Sequence, residues 1–253
     1  MNRPNPVPVF CALDTTDLAA AAALARTVAA LGFGLKLGKE FFAAHGPEGV
    51  RRVVPDGTPL FLDLKFHDIP NTVAGAVRAA AAALRPRYLT VHALGGAGML
   101  AAAAASAAEF GASRPRILAV TVLTSLDEAD LDALGIAGPL PAVVERLSRL
   151  AAGAGADGVI CAAPEITALR ARMGPKFELV VPGIRPPTSA ADDQKRVMTP
   201  VEALALGADW LVIGRPITAA PDPAAAAAAI AAAIAGAAAG AAGTAAARPE
   251  RAR

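Results

Sequence analysis

Eight short apolar runs punctuate the chain, at 8–13, 33–37, 60–64, 88–92, 116–123, 158–162, 177–181 and 210–213. Between them lie alanine- and leucine-rich segments with helical periodicity or composition, including 17–31, 71–84, 97–110, 140–152, 164–172, 200–207 and 222–235. Several of the strand-like runs are continuously apolar rather than alternating. A strand of that kind is buried on both faces, which a parallel sheet covered by helices provides. Eight strand–helix units in one chain of 253 residues predict a closed (β/α)8 TIM barrel, an α/β fold, rather than an open doubly wound sheet. Local signals agree: Asp17 can cap the helix that follows it, Pro200 can sit in a first turn after Thr199, and Gly207 can close that helix before the eighth strand.

With 55% of positions in the apolar set, the chain can bury a full core, so overall disorder is excluded. Much of that fraction is alanine, as in 79–83, 101–105 and 224–229, and these runs form helices. The best membrane candidate, 219–247, is alanine and glycine behind Pro221, Asp222 and Pro223, so no membrane association is expected. Met1 to Pro8 lacks the long apolar stretch of a signal peptide, and the expected location is cytoplasmic. Residues 236–253 read as a frayed low-complexity tail, leaving 1–235 as one catalytic barrel domain. The net charge of +2 comes from that tail, since Arg248, Arg251 and Arg253 outnumber Glu250. A balanced body and 4% aromatic residues leave no basic stripe and few stacking platforms, so a nucleic-acid partner is not expected. Cys11 and Cys161 sit in apolar strands and read as buried thiols, not a disulfide.

Barrels place their chemistry where strands end. Strand one ends in Asp14, strand two carries Lys36, strand three ends in Asp63-Leu64-Lys65 with Asp68 just beyond, and strand four ends near His92. Strand five runs into Thr124 and Ser125, strand seven into Gly183-Ile184-Arg185, and strand eight into Gly214-Arg215. On an extended strand Asp63 and Lys65 face the same side. One such pair could be a structural salt bridge. A line of carboxylates and ammoniums from neighbouring strands is harder to explain that way, because each buried charge costs several kcal/mol unless paired. A site preorganised by charge is the economical reading.

Gly214 and Arg215, opposite the polar connection 183–199 with Arg185 and Gln194, form a place to grip a phosphate. That connection reads as a substrate lid. No metal site is expected: His45, His67 and His92 lack ligand spacing. No GxGxxG follows a strand and no GxSxG is present.

The segment 63–72, DLKFHDIPNT, resembles the D-x-K-x-x-D-I-P-x-T signature of the orotidine 5'-phosphate decarboxylase family, type 1. Further matches fall at Asp14, Lys36, the VTVLTS run 120–125, the PGIR run 182–185, Gln194 and the IGR run 213–215, over roughly residues 8 to 235. The resemblance implies conversion of orotidine 5'-monophosphate to UMP and CO2 by a homodimer with shared sites, using neither metal nor organic cofactor. It implies that Lys36, Asp63 and Lys65 form the charged array, with Asp68 and Thr72 arriving across the interface. It further implies that Asp14 and Lys36 hold ribose hydroxyls, that Thr124 and Ser125 lie near the pyrimidine, and that Arg185, Gln194, Gly214 and Arg215 surround the phosphate.

Lys65 is then the group that stabilises the carbanion at C6 and protonates it. Two other readings stay open. One is a metal-dependent sugar-phosphate decarboxylase or aldolase of the same superfamily, such as a hexulose-phosphate synthase, which needs another acidic ligand and is disfavoured by lysine at position 36. The other is a catalytically silent nucleotide-binding barrel.

Overall fold

In the computed structural model, residues 6–186 and 198–246 are described. Eight parallel strands close into one barrel in sequence order, the first pairing with the last. They are β1 (Val9–Ala12), β2 (Gly34–Gly38), β3 (Leu60–Phe66), β4 (Tyr88–His92), β5 (Arg116–Val120), β6 (Gly158–Ile160), β7 (Glu178–Pro182) and β8 (Trp210–Ile213). The (β/α)8 expectation is met.

The wall of the barrel comprises α1 (Leu18–Ala30), α2 (Lys39–Val53), α3 (Pro70–Leu84), α4 (Gly96–Ala108), α5 (Glu128–Ala133), α6 (Leu140–Gly153), α7 (Ile166–Met173), α8 (Pro200–Ala205), α9 (Arg215–Thr218) and α10 (Pro223–Ala246). The expected caps are present. Asp17 accepts hydrogen bonds from the amides of Ala19 and Ala20 at 2.8 and 3.0 Å, and Thr199 forms a reciprocal box with Glu202. Helix α2 escapes the sequence pattern because Gly46-Pro47 interrupts it; the chain kinks there, with Gly46 at φ 58° and ψ −163°. Helix α10 continues to Ala246, through the first part of the segment read as a frayed tail. By length and composition Pro223–Gly240 could cross a bilayer, and only 17% of it is buried, yet Ala227 and Ile230 pack into the barrel wall.

The strands divide the core in two. Outward residues such as Val9, Cys11, Leu35, Leu62, Leu89 and Val91 pack against the helices, whose alanines let them lie close to the sheet. Inward residues Phe10, Phe61, Tyr88, Leu118, Val180 and Val212 fill the barrel, with Trp210 against them. Phe10 meets Phe61 and Tyr88 edge-on at 5.5 Å, and Trp210 at 4.9 Å. This aromatic plug needs room on β2: a Cβ on Gly34 would lie 2.5 Å from the Phe10 ring. At the strand N-termini, Asp157 receives both Arg114 nitrogens and Glu178 pairs with Arg116. The barrel is thus plugged below by apolar and aromatic rings above the Arg116–Glu178 pair, and the line of carboxylates and ammoniums lies at its C-terminal mouth.

Candidate active site

Above the plug, strands β1 to β3 bring four charged groups into a line. The Lys36 Nζ lies 3.4 Å from Asp14 Oδ1 and 3.5 Å from Asp63 Oδ2, and Lys65 Nζ lies 2.6 Å from that same Asp63 oxygen. Signs alternate from the exposed Asp14, whose side chain is 64% accessible, to Asp63, which is 7% exposed. Burial raises the Asp63 carboxyl pKa, but the Lys36 and Lys65 ammoniums, with hydrogen bonds from Lys65 and Thr90, outweigh it and hold it below the usual carboxylate range. The carboxylate is therefore ionised at neutral pH despite its burial.

Asp63 and Lys65 meet as expected, although not by simple strand alternation. Between Leu62 and Phe66 strand β3 advances four residues while β4 advances two, from Leu89 to Val91. Within this irregularity Lys65 adopts a left-handed backbone, φ 51°, which costs a residue with a Cβ about 1–2 kcal/mol. The bulge re-aims its ammonium towards Asp63. Thr90, on β4, is fully buried, and its hydroxyl donates to Asp63 Oδ1 at 2.9 Å. Sequence reading missed Thr90, because a threonine in a strand carries no signal of its own.

Lys36, Asp63 and Lys65 line one side of a cavity of about 180 Å³ whose other walls include Val120, Val122, Ile160, Cys161, Pro182 and Val212. Thr124 also lines it; Ser125 follows on the same exposed loop. A larger cleft of about 500 Å³ shares Val122, Leu123 and Thr124 but otherwise lies against α6 and α7. It holds Glu145 and Glu165 and no ammonium, so the smaller cavity is the one equipped for charge chemistry. Burial pushes the Cys161 thiol up, which keeps it protonated and unreactive at the cavity wall.

The phosphate candidates follow adjacent strands, since Pro182 of β7 pairs with Val212 of β8. Arg185 is buried, with its amide on the Met198 carbonyl at 3.2 Å, and Arg215 opens α9 beside Gly214. A Cβ on Gly214 would stand 3.9 Å from Asp14 Oδ2, so this corner adjoins the charged line. Gln194 and positions 187–197 lie outside the described residues. Asp68 stands on an exposed bend with Ile69, which is 67% accessible, and Thr72 is exposed in the first turn of α3. Asp68 accepts from the Ile69 amide at 2.6 Å, and within the single chain no ion pair joins it to Lys36 or Lys65. The His67 and His92 rings meet beside this bend with centroids 5.4 Å apart and planes tilted by 35°. Among the described residues no three His, Cys, Asp or Glu side chains converge where they could hold a metal ion.

Residues 8–230 match the family described as Orotidine 5'-phosphate decarboxylase / HUMPS. The chain belongs to that family. Proteins bearing the name Orotidine 5'-phosphate decarboxylase are similar over nearly their whole length. One from Anaeromyxobacter sp. (strain K) is 56% identical over 219 residues, 87% of this chain and 94% of the relative. One from Rhodospirillum rubrum is 54% identical over 225 residues, 87% and 91% of the two chains. Among solved structures, the orotidine 5'-phosphate decarboxylase of Lactobacillus acidophilus superposes with a TM-score of 0.78 at 36% identity, covering 90% of this chain and 98% of that one. The family match thus spans the whole barrel, including every strand that supplies the charged line.

Proposed function

We propose that this chain decarboxylates orotidine 5'-monophosphate to UMP and CO2, a step of pyrimidine biosynthesis. The observation that carries the reading is the alternating Asp14, Lys36, Asp63, Lys65 line at a closed barrel mouth, in a chain more than half identical to proteins of that name. Breaking the bond between C6 and the carboxyl carbon leaves an electron pair in the plane of the pyrimidine, where the ring π-system cannot take it up. A fixed ammonium against C6 stabilises that pair and then transfers a proton to it. Lys65 fills this role, and the resulting amine regains its proton from solvent. Asp63, ionised beside Lys65, faces the substrate carboxylate; two like charges about 4 Å apart at an effective dielectric near 20 repel by roughly 4 kcal/mol. Loss of CO2 relieves that repulsion.

The remaining roles follow the family resemblance. Asp14 and Lys36 hold ribose hydroxyls, Thr124 and Ser125 border the pyrimidine, and Arg185, Gln194, Gly214 and Arg215 hold the phosphate. Binding energy from that phosphate serves orientation at the distant carbon. The working unit is a homodimer in which Asp68 and Thr72 complete the partner's site; the exposure of both, and of Ile69 between them, supports this. The chemistry needs no metal or organic cofactor. Catalysis belongs to the barrel of residues 1–235, with 236–253 an extension outside it, and the setting is the cytoplasm.

The test is the ultraviolet absorbance change of orotidine 5'-monophosphate mixed with the purified protein in excess EDTA. Conversion to UMP is expected. A folded, dimeric protein that converts none, but acts on a sugar phosphate once magnesium is added, would overturn the reading.

A further inference from the structure

The Asp63–Lys65 pair is held together by a side chain outside the D-x-K-x-x-D-I-P-x-T segment. Thr90 lies on the neighbouring strand, buried to 0% exposure, and is not among the residues lining the cavity. Its hydroxyl oxygen accepts from the Lys65 backbone N–H at 2.9 Å and its proton goes to Asp63 Oδ1, also at 2.9 Å. The directions are forced, because an amide can only donate and an ionised carboxylate can only accept. Both bonds fall at the irregularity of β3, where Thr90 sits between Leu89 and Val91 opposite the extra residues. There the Lys65 amide has turned onto Thr90 instead of a strand carbonyl. Without the hydroxyl, a part-buried N–H at a left-handed residue would lose its partner, and the Asp63 carboxylate would be free to rotate away from the two ammoniums that share its other oxygen.

We propose that Thr90 is a positioning residue for the decarboxylation: one hydroxyl fixes both the plane of the Asp63 carboxylate and the left-handed backbone that aims Lys65, without touching substrate. The proposal rests on the decarboxylase reading above. Proximity of the reacting groups is sensitive to small displacements, so a loosened pair lowers the rate of the chemical step more than it lowers binding.

The experiment compares wild type with Thr90→Val, which keeps the shape and removes the hydroxyl, and Thr90→Ser, which keeps the hydroxyl. Steady-state kcat and KM are measured with orotidine 5'-monophosphate, UMP affinity by calorimetry, and folding by thermal melting. In Thr90→Val, kcat falls about 10- to 100-fold, the scale of losing a hydrogen bond to a charged group. UMP affinity, which does not depend on the aim of Lys65, changes by less than about threefold. Thr90→Ser restores most of kcat. The acid limb of kcat/KM moves to higher pH in Thr90→Val and stays in place in Thr90→Ser, because the Thr90 bond is one of the interactions keeping the Asp63 carboxyl low. Should the valine variant not fold, Thr90→Cys, a poorer donor of similar size, replaces it with the same expectations. A folded Thr90→Val with wild-type kcat, a parallel loss of UMP affinity, or a serine variant as slow as the valine would overturn the proposal. Wild-type protein that converts no substrate would instead overturn the decarboxylase reading, and the proposal with it.

Discussion

The left-handed backbone at Lys65 makes an unusual stability prediction. Lys65→Ala and Lys65→Gly both remove the ammonium, leave Asp63 paired with Lys36, and differ by one methyl group. In an ordinary strand the glycine variant is the less stable, by roughly 0.5–1 kcal/mol, because glycine loses more conformational freedom on folding. At φ 51° a Cβ crowds the following carbonyl, costing about 1–2 kcal/mol that glycine does not incur. Taking the middle of each range, the net expectation is that Lys65→Gly exceeds Lys65→Ala by about 0.75 kcal/mol. Urea unfolding followed by circular dichroism resolves this, and Tm should differ by roughly 1–4 °C in a chain of this size. Arg85, at φ 45° on the exposed C-cap of α3 and remote from the site, is the control; Arg85→Gly and Arg85→Ala should rank in the same order. If the alanine variant at 65 were equal or more stable while the Arg85 pair behaved as expected, Lys65 would not be strained, and the account of how it is aimed would fail.

Other expectations concern chemistry, packing and pH. Lys65→Ala should reduce turnover by roughly a hundredfold or more, the loss of a general acid, whereas Arg215→Ala should act mainly through KM; a lysine-less variant with a tenth or more of wild-type kcat would refute the mechanism. Gly34→Ala should destabilise the barrel by about 1–3 kcal/mol, because its methyl would enter the Phe10 ring, and a wild-type urea midpoint would show that the aromatic plug yields freely. Burial, then the positive fields of His67, Lys39 and Lys65, hold the His92 imidazole down to about 4 from 6.5. Above 6.5 the ring is neutral in both states; as pH falls towards 4 the unfolded chain binds a proton that the folded chain refuses, so stability declines over that window and levels off below it. A His92→Gln variant should lose this part of the pH dependence, and unchanged slopes would contradict the assignment.

Much of the site was legible because its residues are charges placed where a buried strand should be apolar. Asp14, Lys36, Asp63 and Lys65 violate the hydrophobic pattern, and a charge in a barrel strand demands a partner. The contributions of Thr90, Val120, Ile160 and Val212 were not legible, since threonine, valine and isoleucine are ordinary strand residues whether they face a helix or a cavity. Helix α2 was hidden by Gly46-Pro47, which reads as a break, whereas tertiary packing of Phe41, Val50 and Val53 holds helix on both sides of the kink. Helix α10 outruns the sequence pattern for the opposite reason: the stretch after 236 reads as a low-complexity tail, yet its alanines carry the helix on to Ala246.

Strand count, parallel order and the end of the barrel that carries charge were set by local features, because two-sided apolar strands and helical periodicity leave few other ways to exclude water. The kinked α2 was settled by packing. So was the geometry of the pair that matters most. Asp63 and Lys65 are two residues apart in any conformation, but whether their charges meet depends on a bulge in β3, a left-handed residue and a hydroxyl from β4 twenty-five positions away from Lys65. Those are contacts between strands. A periodicity confined to one strand cannot encode them, since register between neighbours is decided only when the barrel closes.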